Sequence, residues 1–134
     1  MFATNLLANA MRCTYRTLAD SANGRIGLYG DMASCLDSAD AQHNVVFEYG
    51  NITQWLAYDE LVQLEWNVRH VDPDAYFELY PNDNRIHLST PSPYLCFSFL
   101  PDELTELRAL LSEAVASVTD FQRQWTRILN ESIN

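Results

Sequence analysis

The chain contains no lysine: its eight basic residues are all arginine, at positions 12, 16, 25, 69, 85, 108, 123 and 127. That excludes chemistry built on a lysine Schiff base, a pyridoxal-phosphate lysine or the lysine of a phosphate-binding P-loop. Positive charge is scarce altogether. The arginines are scattered, and they face 18 Asp and Glu for a formal net charge of −10. Such a surface opposes nucleic acid, whose phosphates require a surplus of cations, and it opposes an anionic membrane surface. No nucleic-acid partner and no membrane partner is expected. Cysteine is also rare. Cys13, Cys35 and Cys96 are an odd number without close spacing, which fits reduced thiols rather than a disulfide framework. Met1 to Ala10 has a short apolar run with no basic segment before it, so no signal peptide is expected. No stretch approaches the roughly 20 apolar residues of a transmembrane helix. Together these absences predict a cytoplasmic protein without a cofactor anchored on lysine.

What is present is apolar and aromatic: 48% of the 134 residues are hydrophobic, enough for a single domain over residues 1–134 with its own core. Cys13 to Leu18 reads as a strand and Arg25 to Tyr29 as its return. Between them Ser21-Ala22-Asn23-Gly24 is a turn signal, since Asn-Gly readily takes positive φ. This makes an N-terminal hairpin over residues 12–30, followed by an acidic loop from Gly30 to Gln42. A second hairpin centres on Gly50-Asn51. Alternation places Tyr49 opposite Ile52, Phe47 opposite Gln54 and Val45 opposite Leu56, an inward face with one polar member. Asp59 to His70 is then a helix with Leu61, Leu64, Val68 and Val71 on one stripe, closed by Asp72-Pro73. These elements form a first hairpin-helix unit over residues 44–71.

A second unit follows over residues 75–130. Ala75 to Tyr80 and Arg85 to Thr90 read as strands around a turn at Pro81-Asn82-Asp83-Asn84. Tyr94 to Phe99 alternates with Leu95, Phe97 and Phe99 on one face. Pro101 suits the first position of a helix, with Asp102 and Glu103 at the positive end of its dipole. Its apolar stripe runs through Leu104, Leu107, Leu111, Val115, Val118, Phe121, Trp125 and Leu129. The units share a written pattern. Tyr58-Asp59-Glu60-Leu61 returns as Pro101-Asp102-Glu103-Leu104 at an offset of 43 residues, and the same offset lays Val45 on Leu88 and Leu56 on Phe99. The expected fold is therefore α+β: an antiparallel sheet with helices on one face, built from two pseudo-repeated strand-strand-helix units plus an N-terminal hairpin. A helix from Pro101 to Asn130 spans about 45 Å, whereas a six-residue strand covers about 20 Å. Either it breaks near Thr119 or its end packs elsewhere, and a second copy of the chain is the economical partner.

The stretch His43-Asn44-Val45-Val46-Phe47-Glu48-Tyr49-Gly50-Asn51-Ile52, with Leu56 and Glu60-Leu61 after it, resembles a family of small uncharacterised proteins from Bacteroidota. The likeness covers Arg25 to Leu64. Members carry an aromatic-Gly-Asn-Ile turn between strands and often a Cys-x-x-Cys pair before the His. This chain has only Cys35 there, and Gln54 stands where an apolar residue is usual. The resemblance implies a fold and a lineage but no activity, and the missing cysteine pair speaks against a metal.

Three constellations could carry chemistry. Cys35 with His43, joined by Cys13 and by Asp37 or Asp40, offers zinc-type ligands without the close pairs of structural zinc sites. Cys96 and His87 both point away from the core side of their strands and could be cross-strand neighbours, the minimum for thiol or hydrolytic chemistry. The pairs Asp59-Glu60 and Asp102-Glu103 sit at helix starts, where the dipole explains them without an acid–base role. A different class of feature is aromatic. Trp55, Val62 and Trp66 lie off the inward stripes and suit a docking patch, as Phe121 and Trp125 do on the long helix. With no catalytic residue assigned and no cofactor implied, the expected function is a protein-interaction or regulatory module, homodimeric through the C-terminal helix. The alternatives are a ligand- or metal-binding protein with thiol or hydrolytic chemistry at Cys35/His43 or Cys96/His87, and an acidic decoy for a basic partner.

Overall fold

The alternation around Gly50-Asn51 sets the centre of the sheet. In the computed structural model, which describes residues 15–30, 43–90 and 92–133, strands β3 (Val45–Tyr49) and β4 (Ile52–Leu56) pair antiparallel. Val45 faces Leu56, Phe47 faces Gln54 and Tyr49 faces Ile52, as the period-two pattern requires. Gly50 turns the corner at φ +57° while Asn51 keeps a negative φ, the arrangement of a type II′ hairpin.

Strands β1 (Tyr15–Asp20) and β2 (Gly24–Tyr29) form the N-terminal hairpin, and β2 pairs with β3. The sheet order is β1-β2-β3-β4. A bulge between Thr17 and Ala19 lets the consecutive residues Leu18 and Ala19 both turn inward, which strict alternation forbids. Gly24 does not adopt the positive φ expected from Asn23-Gly24. It is a site of close approach instead: a Cβ there would lie 2.9 Å from the carbonyl oxygen of Glu48 and 2.8 Å from the Tyr49 ring. The turn is closed by the Ser21 N–H donating to the Gly24 carbonyl at 2.9 Å.

Helix α1 (Tyr58–Arg69) buries Leu61, Leu64 and Val68. Beyond it, Ala75 to Tyr80 is not the strand the sequence predicts: Ala75 to Leu79 belong to helix α2 (Pro73–Leu79), and Tyr80 is its C-cap. Asp72 is its N-cap, its carboxylate accepting the Asp74 N–H at 3.1 Å, and Pro73 occupies the first turn. Asp72-Pro73 therefore opens a helix rather than merely closing the previous one. Tyr76 and Tyr80, alternate-looking in sequence, meet at 4.9 Å across one helical turn.

Strands β5 (Ile86–Ser89) and β6 (Cys96–Phe99) make a separate two-stranded sheet. Leu95 falls outside β6 and is exposed. Helix α3 (Pro101–Ile133) is continuous over 33 residues with no break at Thr119, and the Thr119 hydroxyl bonds the Val115 carbonyl one turn back. The chain is thus α+β, with helices packed on the four-stranded sheet. Ile26, Leu28, Val45, Phe47 and Leu56 of the sheet meet the inward stripes of α1 and α3. Phe97 and Phe99 of β6 pack their rings on Phe47 and Tyr49, at 5.7 and 5.5 Å. Each such fully buried side chain contributes about 1.5–3 kcal/mol. Arg108 of α3 donates to the carbonyl of Val68 in the last turn of α1 and to that of Val71 just beyond it, which fastens the end of α1 to α3.

The two helix starts correspond closely. Glu60 accepts the Ala57 N–H and Glu103 accepts the Leu100 N–H, both at 2.8 Å, the same half of a capping box at the same offset. The hairpins before them do not correspond. Val45 faces Leu56, but Leu88 faces Phe97, and Phe99 faces Ile86. The register differs by two residues, so the fold does not establish a duplication.

Candidate functional site

Three polar or aromatic clusters stand out from the core. The first is a pin. Glu106 of α3 reaches across to the sheet, where one oxygen accepts the Ser21 hydroxyl at 2.6 Å and the Asn23 N–H at 2.8 Å. The other oxygen accepts the Asn23 amide at 2.8 Å and the Tyr49 hydroxyl at 2.9 Å. Four donors, led by Ser21 and Asn23, hold the carboxyl down to about 2. Burial and the hydrogen bond to Glu106 push the Tyr49 phenol up. Every oxygen lone pair is engaged, so Glu106 is neither a free base nor a proton donor. It ties the β1–β2 turn and β3 to the long helix.

The second cluster lies on the sheet face turned away from the helices, where Thr17, Arg25, Glu48 and Thr53 are exposed. Gly27 and Val46 share that face yet are buried. They are roofed by aromatic rings. Tyr15 packs on Tyr29 at 4.9 Å, and Tyr29 packs on Trp55 at 5.3 Å. The outer end of the Tyr15 ring occupies the space a Cβ on Gly27 would need. Trp55 remains 49% exposed, an apolar surface with a polar tip of the kind enriched at interfaces.

The third cluster is on the outer face of β5–β6. His87 faces Ser98, and Cys96 faces Ser89. The imidazole Nδ1 lies 2.6 Å from the Ser98 hydroxyl and Nε2 lies 3.7 Å from Asp83. The Tyr76 hydroxyl accepts the His87 N–H at 3.2 Å and donates to Asp83 at 3.3 Å. Beside this row, α1 and β5 border a groove of about 370 Å³ lined by Asp59, Glu60, Gln63, Asn67, Ser89 and Thr90 over a floor of Leu64.

The sequence-derived candidates divide accordingly. His43 pairs with Glu60 at 3.0 Å, while Cys35, Cys13, Asp37 and Asp40 lie outside the described residues. Among the described residues no three His, Cys, Asp or Glu side chains gather as a metal site requires. Cys96 is exposed and its thiol leans on the Phe97 carbonyl; the residue directly across from His87 is Ser98. Trp55 stacks on Tyr29, whereas Trp66 stacks on His70 at 4.0 Å, and Val62 is half-buried on α1. Phe121 is partly buried against the core, and the side chain of Trp125 lies outside the described part. Alternation could place His87 and Ser98 on one face but not opposite each other, because that depends on the register set by the connection from Thr90 to Leu95. Tyr15, Tyr29, Asp83 and Glu106 had no sequence signal beyond their residue types. No helix among the described residues is long and apolar enough to cross a membrane. No family model, curated protein or solved structure matches the chain.

Proposed function

We propose that this protein is an interaction module that pairs with a second copy of itself through the distal part of α3 and presents the open sheet face to other proteins. The observation that carries the reading is the unbroken length of α3. It continues about 22 Å beyond Val118, the last of its fully buried side chains among those described. Helical segments of that length are marginal in water without tertiary packing. The sequence keeps an apolar rhythm there, Val118, Phe121 and Trp125, while Gln122, Arg123, Thr126 and Asn130 are exposed. A two-fold dimer is the commonest closed assembly of identical chains, and it would cover the distal helix with its own copy. In this reading Trp55 on the open sheet face, and Val62 and Trp66 on α1, remain available to a different protein, the cysteines stay reduced in the cytoplasm, and the resemblance to the Bacteroidota family implies a fold without an activity.

Light scattering at micromolar concentration tests the pairing. A dimer mass that Trp125→Glu converts to a monomer is the expected result. A monomer mass, unchanged by that substitution, overturns it.

A further inference from the structure

We propose that Ser98 is a nucleophile for acyl transfer from small activated esters, with His87 as its general base and Asp83 positioning the imidazole. Ser98 and His87 are direct cross-strand partners on β6 and β5. Their chain neighbours Ile86, Leu88, Phe97 and Phe99 are buried in the core on the other side, which fixes the backbone that presents them. The hydroxyl and Nδ1 are 2.6 Å apart, within the reach that proton transfer from nucleophile to base requires.

On the far side of the ring Nε2 lies 3.7 Å from the Asp83 carboxylate, an electrostatic contact longer than a hydrogen bond. That carboxylate favours the tautomer with the proton on Nε2, the one in which the Nδ1 lone pair faces Ser98. Tyr76 secures both neighbours, accepting the His87 N–H and donating to Asp83. The order hydroxyl, imidazole, carboxylate is a matter of geometry and roles, not of sequence position. Arg85 donates from Nη1 to the backbone carbonyl of Ser98 at 3.3 Å and pairs with Glu103 at 3.5 Å, which ties the strand carrying Ser98 to the start of α3. Ser98 is half-buried and His87 exposed, so the surface admits a compact ester.

In the reaction the Ser98 oxygen attacks the acyl carbon as its proton passes to Nδ1. The tetrahedral adduct collapses, the bond to the alcohol breaks, and the alcohol oxygen takes the proton from Nδ1. Water repeats the sequence and releases the acid. No oxidant and no further reactant is needed.

A fluorophosphonate probe tests the first step, since Oγ–P formation expels fluoride and needs the same base. Mass spectrometry of the digested full chain is expected to locate the label on Ser98. Ser98→Ala abolishes it, and His87→Ala slows it by about a hundredfold, the low end for a general base. Added imidazole restores part of the rate in His87→Ala, a recovery that a merely structural role would not give. His87→Gln, which keeps a polar side chain at the site, serves if the alanine variant unfolds and shows the same slowing. Ser89→Ala and Cys96→Ala, on the same face, keep the parent rate. Absence of label on Ser98, or a rate indifferent to His87, overturns the proposal.

Discussion

Tyr49 of β3 donates its hydroxyl to Glu106 of α3 at 2.9 Å, although the two stand 57 residues apart. The same carboxylate takes three more hydrogen bonds from Ser21 and Asn23. One side chain thus fastens the first turn and the third strand to the last helix. Glu106→Ala is expected to cost about 2–3 kcal/mol, the range for losing hydrogen bonds to a charged group and stranding a nearly buried phenol. Tyr49→Phe removes one donor of four and costs about 1 kcal/mol. Urea denaturation of the two variants measures both, and equal losses would contradict this division.

The pH dependence follows from the same carboxyl. Its folded-state pKa, about 2, lies below its ordinary value of 4.5, so the folded chain binds fewer protons than the unfolded one in between. The contribution is fully present above about pH 4.5 and is lost as the pH falls toward about 2. The stability gap between the parent and Glu106→Gln is therefore expected to narrow across that window. A gap that stays constant from pH 6 to pH 3, both about, would mean that the charge is not what holds the turn.

Two glycines separate conformational need from crowding. Gly24→Ala drives a Cβ against the Glu48 carbonyl oxygen, backbone that cannot yield, and is expected to cost about 2 kcal/mol. Gly50 has φ +57° and nothing within 4 Å of its would-be Cβ, so Gly50→Ala costs only the left-handed penalty, about 1 kcal/mol. Thermal melts should show the larger loss in Gly24→Ala, and a larger loss in Gly50→Ala would mean that backbone conformation outweighs crowding.

Helix α2 offers a local test at Asp72, whose carboxylate caps it through the Asp74 N–H. Asp72→Ala is expected to lower stability by about 1 kcal/mol, with faster amide exchange concentrated in Asp74 to Leu79. Exchange that rises equally throughout the sheet would argue against a local cap.

That helix also marks where the sequence stops being readable. The β3–β4 register was legible to the residue, because two flanking strands alternate and Gly50-Asn51 leaves only one turn length between them. The stripes of α1 and α3 were legible from periodicity for the same reason: burial selects every third or fourth residue. Ala75 to Tyr80 was not, since six residues with aromatics at Tyr76, Phe77 and Tyr80 satisfy a strand and a short helix equally, and Asp72-Pro73 serves as stop or start. The row through Ser98, His87 and Asp83 depends on a hairpin register that no turn motif specifies. Glu106 is further out of reach still. Its partners lie at Ser21, Asn23 and Tyr49, and which exposed-looking glutamate meets them is set by how α3 crosses the sheet.

The aromatic roof makes a last prediction. The Tyr15 ring lies where a Gly27 side chain would stand, and it covers the sheet beside Val46, which is 3% exposed. Gly27→Ala has to move the outer end of that ring, a side chain that is 38% exposed, so the stability loss is expected to stay near 1 kcal/mol, below the cost of overpacking an enclosed core. The surface changes more than the stability. With Tyr15 displaced, Tyr29 loses one of its two stacking neighbours and Trp55 loses the support behind it. In a variant with Trp66 and Trp125 replaced by Phe, Trp55 fluorescence should become more accessible to acrylamide when Gly27→Ala is added. Unchanged quenching would show that the three rings do not act as one surface, and the open face would then present Trp55 alone.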